Sequence, residues 1–284
     1  MYSPLVLPIL SILAAMVSIQ YGAALAKGLF PELGPVAATL LRLWIAAALL
    51  ALIYRPWRGA SLRGRWPVLV GYGVAMGLMN LSYYLALQRL PMGIVVAIEF
   101  LGPLGVAIAT SHRPLDGLWV ALAIAGLLLL LPWQTTAPTL DLVGVGFALL
   151  AGAGWALYIL FGSRTGSSHG GRTVAWGMIL GAAAVTPSVV LVDSATLLNP
   201  AVLPIALAVA VLSSALPYTL EMYALTRMPN QVFSLFMSVE PALAALMGAV
   251  VLHERLTALQ WLAIGCVMAA SFGSAVASQR RASS

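Results

Sequence analysis

The chain has 284 residues, of which 62% are hydrophobic and only 8% are charged, whereas a soluble domain carries roughly 25% charged residues. So few charges cannot cover a water-soluble surface, and the mean hydropathy of +1.00 points the same way: the composition predicts an integral membrane protein with no room for a soluble domain. The net charge of +6 comes from cations spread over loops, which argues against a basic nucleic-acid-binding stripe.

Polar and Pro/Gly-rich breaks divide the chain into ten apolar runs, and crossing the hydrocarbon takes about 20 residues per helix. In chain order the runs are 5–27, 35–54, 67–88, 91–110, 116–133, 141–161, 172–192, 202–226, 229–250 and 257–277. The first run lacks the basic start of a secretory signal, so we expect it to be retained as a helix. The sequence therefore predicts an all-α integral membrane protein with ten transmembrane helices.

The loop cations predict the orientation of these helices. Three cations fall on one side of the membrane, namely Lys27, Arg89 and Arg255. Ten fall on the other side: Arg55, Arg58, Arg63, Arg65, Arg113, Arg164, Arg172, Arg227, Arg280 and Arg281. Because Lys and Arg accumulate in cytoplasmic loops, we expect both termini in the cytoplasm.

The chain also repeats itself. The segment LQRLP at residues 87–91 matches LTRMP at 225–229, and at the same offset Pro103 falls on Pro241. The third to fifth runs therefore resemble the eighth to tenth. A unit of five helices is odd-numbered, so its two copies must enter the membrane in opposite directions, as in many secondary transporters. We predict two inverted five-helix repeats, 1–138 and 139–284.

Four charged residues fall within the predicted spans: Arg42, Glu99, Glu221 and Glu240. A charge at membrane depth is expensive and usually marks a functional site. Glu99 and Glu240 lie near the middle of their runs, which makes them candidates for binding a substrate ammonium group or a proton. Arg42 is a candidate charge partner for a carboxylate.

Each of the three glutamates lies close to a proline: Pro103, Pro217 or Pro241. Proline has no N–H and leaves a helix carbonyl without its partner, and broken helices at membrane depth are tolerated where they line a wet cavity. Carboxylates beside free carbonyls therefore predict a central polar site. The alternative is a kinked packing helix whose glutamate simply pairs with Arg42 or a buried amide.

Aromatic and amide side chains give further candidates for substrate binding. Asn80, Tyr83 and Tyr84 follow the i, i+3, i+4 spacing of one helix face and can hydrogen-bond a zwitterion. Weaker candidates are Gln20, Trp155 and Tyr158. For all of them, ordinary helix packing is the competing interpretation.

The sequence offers little support for other chemistry. Cys266 is the single cysteine, so no disulfide or thiol metal site is expected. The GSSHG segment at residues 166–170 matches a nucleophile elbow only formally, since it lacks the strand–turn–helix context. No phosphate loop with lysine occurs. We therefore expect no enzyme activity, no metal and no cofactor.

Four segments carry a resemblance to a known family: residues 18–23 (SIQYGA), 90–103 (LPMGIVVAIEFLGP), 215–222 (ALPYTLEM) and 237–245 (MSVEPALAA). They resemble EamA-type members of the drug/metabolite transporter superfamily, and more narrowly the bacterial threonine/homoserine exporters. The resemblance covers nearly the whole chain. It implies an inner-membrane exporter of small amino acids, driven by the proton gradient.

The expected partners are thus an amino acid, protons and the lipid bilayer, with no nucleic acid and no evident protein partner. We expect alternating access, with the substrate entering a cavity between the two halves. The nearest alternative is export of aromatic amino acids or of another small metabolite. A passive channel and an intramembrane enzyme are the remaining alternatives.

Overall fold

The computed structural model describes residues 6–58, 66–109, 116–129, 141–165, 170–193, 197, 199–225, 227–228 and 230–282. Every regular element in these ranges is helical, which confirms the prediction of an all-α chain. The helices are α1 (Val6–Gly28), α2 (Phe30–Tyr54), α3 (Trp66–Leu87), α4 (Met92–Glu99), α5 (Leu101–Ala109), α6 (Asp116–Leu129), α7 (Leu142–Thr165), α8 (Gly170–Val185), α9 (Leu203–Ala210), α10 (Leu216–Leu225), α11 (Asn230–Met237), α12 (Glu240–Val251) and α13 (Ala258–Ala282). A 3₁₀ segment, Thr186–Leu191, extends α8, and a π-helical segment, Val211–Ala215, joins α9 to α10.

Six helical stretches are long and apolar enough to cross a membrane by length and composition. They are Val6–Gly28, Phe30–Tyr54, Trp66–Leu87, Leu142–Arg164, Gly171–Leu191 and Leu203–Glu221. Four shorter apolar helical stretches are Met92–Val106, Gly117–Leu129, Glu240–Val251 and Ala258–Ser274. The count of ten spans and their inverted pairing stay predictions, and the predicted repeat boundary at 138/139 lies outside the described residues.

Two of the predicted runs are each divided into two helices. Run 91–110 is interrupted at Phe100, between α4 and α5, and run 229–250 is interrupted at Ser238 and Val239, between α11 and α12. Pro103 and Pro241 follow these interruptions closely, and a proline cannot donate the hydrogen bond that would continue the preceding turn. The sequence predicted breaks near Pro103 and Pro241, and the helices are interrupted close to both prolines.

The α-helical spacing predicts that Pro217 leaves the carbonyl of Ser213, four residues earlier, without a donor, but the local backbone is not α-helical. The Leu216 N–H bonds to the Val211 carbonyl, five residues back, which is the spacing of a π turn. The carbonyl that Pro217 leaves without a donor thus belongs to Leu212 rather than to Ser213. The Ser18 hydroxyl of α1 donates to this carbonyl at 2.6 Å, so the break fastens α1 to the α9–α10 junction.

The second helix begins earlier than the predicted residue 35. It starts at Phe30 and changes direction at Gly34, whose φ is +69°. This left-handed conformation is costly for residues with a Cβ but accessible to glycine. Pro35 then restarts the helix, since its fixed φ suits a first helical turn.

The bundle has two ends, defined here by their contacts. At the ion-pair end, Lys27 contacts Glu254 and Arg89 contacts Asp141. At the terminal end, where α1 begins, α2 approaches the start of α8: the indole of Trp176 donates to the Pro56 carbonyl at 3.2 Å. The ion-pair end and the terminal end are thus the two opposite ends of the helix bundle.

Glycines let neighbouring helices approach closely. Gly77 of α3 meets Gly181 of α8, where an added Cβ would lie 3.0 Å from the Gly181 Cα. Gly102 of α5 meets the backbone of Gly152 in α7. Because apolar lipid gives little hydrophobic drive between helices, such close backbone packing holds membrane bundles together.

Candidate functional site

A cavity of about 550 Å³ lies among the helices, and most of the predicted site residues line it. It extends from the middle of α1, α3 and α4 toward the terminal end, where Val174 and Phe233 line it near the starts of α8 and α11. The predicted residues in its wall are Gln20, Arg42, Asn80, Tyr83, Glu99, Pro103, Trp155, Tyr158, Glu221 and Glu240. The fold thus brings together side chains that are dispersed over the whole sequence.

Gln20 and Glu240 form a direct contact inside this cavity. The Gln20 amide donates from Nε2 to Glu240 Oε1 at 3.0 Å, and the two side chains are 2% and 7% exposed. The Gln20 carbonyl oxygen, Oε1, and the other carboxylate oxygen, Glu240 Oε2, are both buried without a hydrogen-bond partner. Acceptors without donors can receive a proton or an ammonium group.

Arg42 is buried among neutral partners rather than beside a glutamate. Its guanidinium donates to Asn80 Oδ1 and, at 3.4 Å, to Ser213 Oγ. It also lies over the Tyr84 ring, 4.5 Å from the centroid. Its Nε is buried without a partner. Among the described residues, two neutral acceptors and an aromatic face thus take the place of the predicted pairing with a glutamate.

Tyr83 and Tyr84 take different positions, although the spacing predicted one shared face. Tyr83 lines the cavity, whereas Tyr84 is fully buried behind Arg42, with its ring 5.5 Å from that of Phe30. Successive helical residues point about 100° apart, so the two rings diverge. The expected substrate contact of Tyr84 is therefore replaced in this structure by support of Arg42.

Glu99 is the last residue of α4, and its side chain is 7% exposed at the cavity wall. Its charge interacts with those of Glu240 and Arg42. The backbone around it is tightly packed, because a Cβ on Gly152 would lie 2.8 Å from the Glu99 carbonyl oxygen. The α4–α5 interruption therefore follows directly after Glu99, whose side chain lies at the cavity wall.

The half of the cavity toward the terminal end is aromatic. Trp155 meets Phe100 edge-on at 5.2 Å between ring centroids, and Tyr158 stacks on Tyr72 at 4.7 Å. Glu221 lines the same half. An aromatic wall with one carboxylate suits the passage of an ammonium-bearing ligand, since aromatic faces attract cations.

The cavity wall includes residues that the sequence did not single out. These are chiefly Ser213, Tyr218, Phe233, Met237, Ser271 and Ser274. Tyr218 lies three residues before Glu221, so the helix period could have identified it. The serines carry no such signal, because serine is ordinary in membrane helices and only the packing of α13 brings Ser271 and Ser274 to the cavity.

The described residues contain no group of three or more His, Cys, Asp or Glu side chains that could hold a metal ion. The three glutamates of the cavity are accompanied by amides, hydroxyls and one guanidinium instead. Groups of these kinds are suited to bind a small polar molecule by hydrogen bonds and charge.

The chain is similar to known proteins over most of its length. The model of the EamA-like transporter family matches residues 142–276. The threonine/homoserine exporter RhtA of Escherichia coli (strain K12) is 48% identical over 271 residues, which cover 95% of this chain and 92% of that protein. The protein of the same name from Salmonella typhimurium (strain LT2) is 47% identical over 98% of this chain and 94% of its own length.

A solved crystal structure shares the fold. It is 18% identical, with a TM-score of 0.62, and covers 96% of this chain and 99% of its own. The relatives are transporters rather than enzymes, and the apolar helices agree with a multi-pass membrane protein. The identity to these relatives and the family match over residues 142–276 show that the chain belongs to the EamA-like transporter family.

Proposed function

We propose that this protein exports small amino acids resembling threonine and homoserine across the inner membrane by alternating access. One observation carries the proposal: a cavity at membrane depth combines the carboxylates of Glu99 and Glu240 with the guanidinium of Arg42. Charges at this depth are retained for function. The relatives that are 47–48% identical carry the name threonine/homoserine exporter, which supports the substrate class.

The polar groups of the cavity match the two ends of a zwitterion. Gln20 Oε1 and Glu240 Oε2 are acceptors without donors, while Arg42 Nε is a donor without an acceptor. An ammonium group supplies donors and a carboxylate supplies acceptors. The substrate ammonium would thus bind near Glu240 and its carboxylate near Arg42, after a small movement of these buried atoms toward the cavity.

The architecture that we propose has ten spans in two inverted repeats. Six long and four shorter apolar stretches would supply the ten crossings, and the interruptions at Phe100 and at Ser238–Val239 fall at matching places before Pro103 and Pro241. An inverted repeat supplies two similar conformations related by exchange of the two halves. The repeat thereby supports alternating access.

The orientation follows from the cations. The ion-pair end carries Lys27, Arg89 and Arg255, and the sequence assigns ten other cations to the loops and chain end of the opposite side. The positive-inside rule then puts the terminal end and both termini in the cytoplasm. The cavity extends toward that end, so this conformation would receive substrate from the cytoplasm.

Glu99 and Glu240 are our candidates for coupling export to the proton gradient. Their charges interact, and two nearby carboxylates in a desolvated site hold both negative charges only with a compensating proton or cation. Substrate ammonium and proton would therefore compete for the same carboxylates. Because only one of them binds at a time, proton entry would be coupled to amino-acid exit, as an exporter driven by the proton gradient requires.

Aromatic amino acids or other small metabolites are the second candidate class. The cavity wall contains Tyr83, Phe100, Trp155 and Tyr158, and its volume of about 550 Å³ lies in the range of about 300–1,000 Å³ typical of drug-sized ligands. A large aromatic cavity accepts a bulkier substrate than threonine. Substrate competition separates the two classes.

The test uses purified protein in proteoliposomes loaded with unlabelled threonine. We expect exchange of external labelled threonine, acceleration by a pH gradient, and strong competition by homoserine but weaker competition by phenylalanine. Stronger competition by phenylalanine would favour the second class. Uptake without exchange, accompanied by a steady current, would indicate a channel and contradict the carrier.

A further inference from the structure

Lys27 and Glu254 form an ion pair at the end of the bundle opposite to the cavity's extension. Lys27 Nζ lies 2.6 Å from Glu254 Oε1 and donates to the Leu90 carbonyl at the same distance. The other oxygen, Glu254 Oε2, accepts from the Met92 N–H at 2.8 Å. Only 18% of the lysine and 13% of the glutamate side chain is exposed. One pair thus fastens the end of α1, the start of α4 and the end of α12.

The local backbone is shaped to deliver Glu254 to this position. His253 adopts a left-handed conformation with φ of +56°, and the Glu254 N–H returns to the Gly248 carbonyl at 3.0 Å. A Cβ on Gly248 would collide with the Glu254 carboxylate. A non-glycine residue in the left-handed region is uncommon and costs free energy, so other interactions of this loop must stabilise it.

Each of the three fastened helices carries one polar residue of the cavity wall. Gln20 lies about two helical turns before Lys27, and Glu99 lies about two turns after Met92, or roughly 10 Å along each axis. Glu240 begins α12, whose other end leads to Glu254. Any relative movement of α1, α4 and α12 that follows binding at the centre therefore acts directly on the ion pair.

A buried apolar layer lies between the ion pair and the cavity. It includes Phe30, Leu87, Met92, Ile94 and Val95, each at most 8% exposed. An apolar layer blocks water and ions, but its contacts are not directional and do little to hold the helices at the ion-pair end together. A directional contact across it is needed to hold one arrangement, and packed helices of this kind have discrete rather than continuous alternatives.

We propose that Lys27 and Glu254 are the outer latch of the transport cycle, an inference that rests on the alternating access proposed above. The pair holds the ion-pair end closed while the cavity is accessible from the other end. It parts when α1 and α12 separate, and both charges then become hydrated. Hydration replaces much of the attraction that is lost, so the two conformations stay close enough in free energy for rapid exchange.

The second ion pair at this end provides a matched control. Arg89 Nη1 lies 2.8 Å from Asp141, and the side chains are 41% and 33% exposed. It joins the α3–α4 turn to the start of α7, and α3 and α7 already pack closely along their lengths. This pair has no need to part during the cycle.

The test measures access to the cavity from each side of the membrane. Ala23 lines the cavity, so an Ala23→Cys substitution in a Cys266→Ser background gives one reporter thiol. Labelling with a membrane-impermeant maleimide is timed in intact cells and in inverted vesicles. We expect slow labelling from outside, and about tenfold faster outside labelling in Lys27→Gln and Glu254→Gln, since tenfold corresponds to a shift of about 1.4 kcal/mol between conformations. Asp141→Asn should leave the rate unchanged.

A second variant displaces the latch without altering any charge. Gly248→Ala pushes the Glu254 carboxylate away from Met92, whereas Gly265→Ala is the control because nothing lies within 4 Å of an added Cβ there. We expect faster outside labelling only in Gly248→Ala. Unchanged outside labelling in all three latch variants, or an equal effect of Asp141→Asn, would overturn the proposal.

The labelling assay needs no substrate, so it stands apart from the proposed function. If labelled threonine fails to exchange in proteoliposomes while the latch variants still open the outer end, the substrate assignment fails and the latch holds. If threonine exchanges while the latch variants leave outside access unchanged, the reverse is true.

Discussion

Gln20 Nε2 donates to Glu240 Oε1 at 3.0 Å and so joins the first helix to the twelfth, across 220 positions of the chain. The bond uses one oxygen of the carboxylate and leaves Oε2 buried without a partner. An ionised carboxylate with one neutral donor is poorly compensated inside a membrane protein. A proton or an ammonium group that binds to this carboxylate therefore directly changes the contact between α1 and α12.

Glu240→Gln should preserve this contact while removing its charge. The new amide oxygen still accepts from Gln20, so we expect normal insertion and a melting temperature close to that of the unaltered protein. Transport driven by a pH gradient should fall at least about tenfold, because the side chain no longer takes up a proton. Proteoliposome uptake with and without the gradient measures this effect, and Glu32→Gln, an exposed carboxylate of α2, is the control. Undiminished gradient-driven transport by Glu240→Gln would remove this residue from the coupling.

Arg42 should control recognition of the substrate carboxylate. Its planar fork already contacts Asn80 and Ser213, and a lysine cannot reproduce that geometry. We expect Arg42→Gln to raise the apparent KM for threonine at least about tenfold, which corresponds to about 1.4 kcal/mol, and Arg42→Lys to do so less. Competition by the amino alcohol of threonine, which lacks the carboxylate, is the sharper measurement. The unaltered protein should discriminate against it, and Arg42→Gln should lose that discrimination; equal discrimination by both proteins would argue against the role.

Much of the site could be predicted because a charge in an apolar run is conspicuous. Arg42, Glu99, Glu221 and Glu240 were identified in this way, and all four line one cavity. Which neighbours each charge meets could not be predicted, since those contacts depend on helix rotation and tilt. Arg42 illustrates the limit: it contacts Asn80 and Ser213, which lie on two other elements, and no spacing in the sequence relates these positions.

For the fold, too, the composition predicted which segments are helical but not their local geometry. Helix content and approximate helix positions follow from apolar length, as α1 and α3 show. Prolines predicted that helices would be disturbed but not how. The π turn before Pro217 moved the free carbonyl to Leu212, because a π turn bonds five residues back instead of four.

Trp155 should limit the size of the transported side chain. It meets Phe100 edge-on at 5.2 Å and occupies the cavity wall on the aromatic side. Removing the indole in Trp155→Ala opens space next to the polar centre, so phenylalanine should compete more strongly against labelled threonine, by about tenfold for one large group. The control is Trp261→Ala, an indole of α13 that is 42% exposed outside the cavity wall. A constant ratio of phenylalanine to threonine inhibition would show that Trp155 does not set selectivity.

The Arg89–Asp141 pair gives a prediction about pH. The hydrogen bond from Arg89, aided by the Gly144 N–H, holds the pKa of Asp141 below its usual range. A depressed pKa stabilises the folded state at pH values above the ordinary aspartate range, and this contribution is lost as pH falls through the lowered value. The melting temperature of Arg89→Gln should therefore lie slightly below that of the unaltered protein at pH 7, and the gap should close in acid. A gap that stays constant down to the lowest pH at which the protein is folded would contradict this assignment.

Gly77→Ala should destabilise the bundle through backbone contact rather than through any effect on the cavity. The new Cβ would lie 3.0 Å from the Gly181 Cα, and the neighbour cannot yield because it is itself backbone. Overpacking of this kind costs about 1–3 kcal/mol, so the melting temperature should fall by several degrees. Gly146→Ala is the matched control, since nothing lies within 4 Å of a Cβ at that helical position and alanine favours helix by up to about 1 kcal/mol over glycine. Gly146→Ala should therefore melt at the same temperature or higher. Equal melting of the two variants would mean that α3 and α8 do not depend on this close approach.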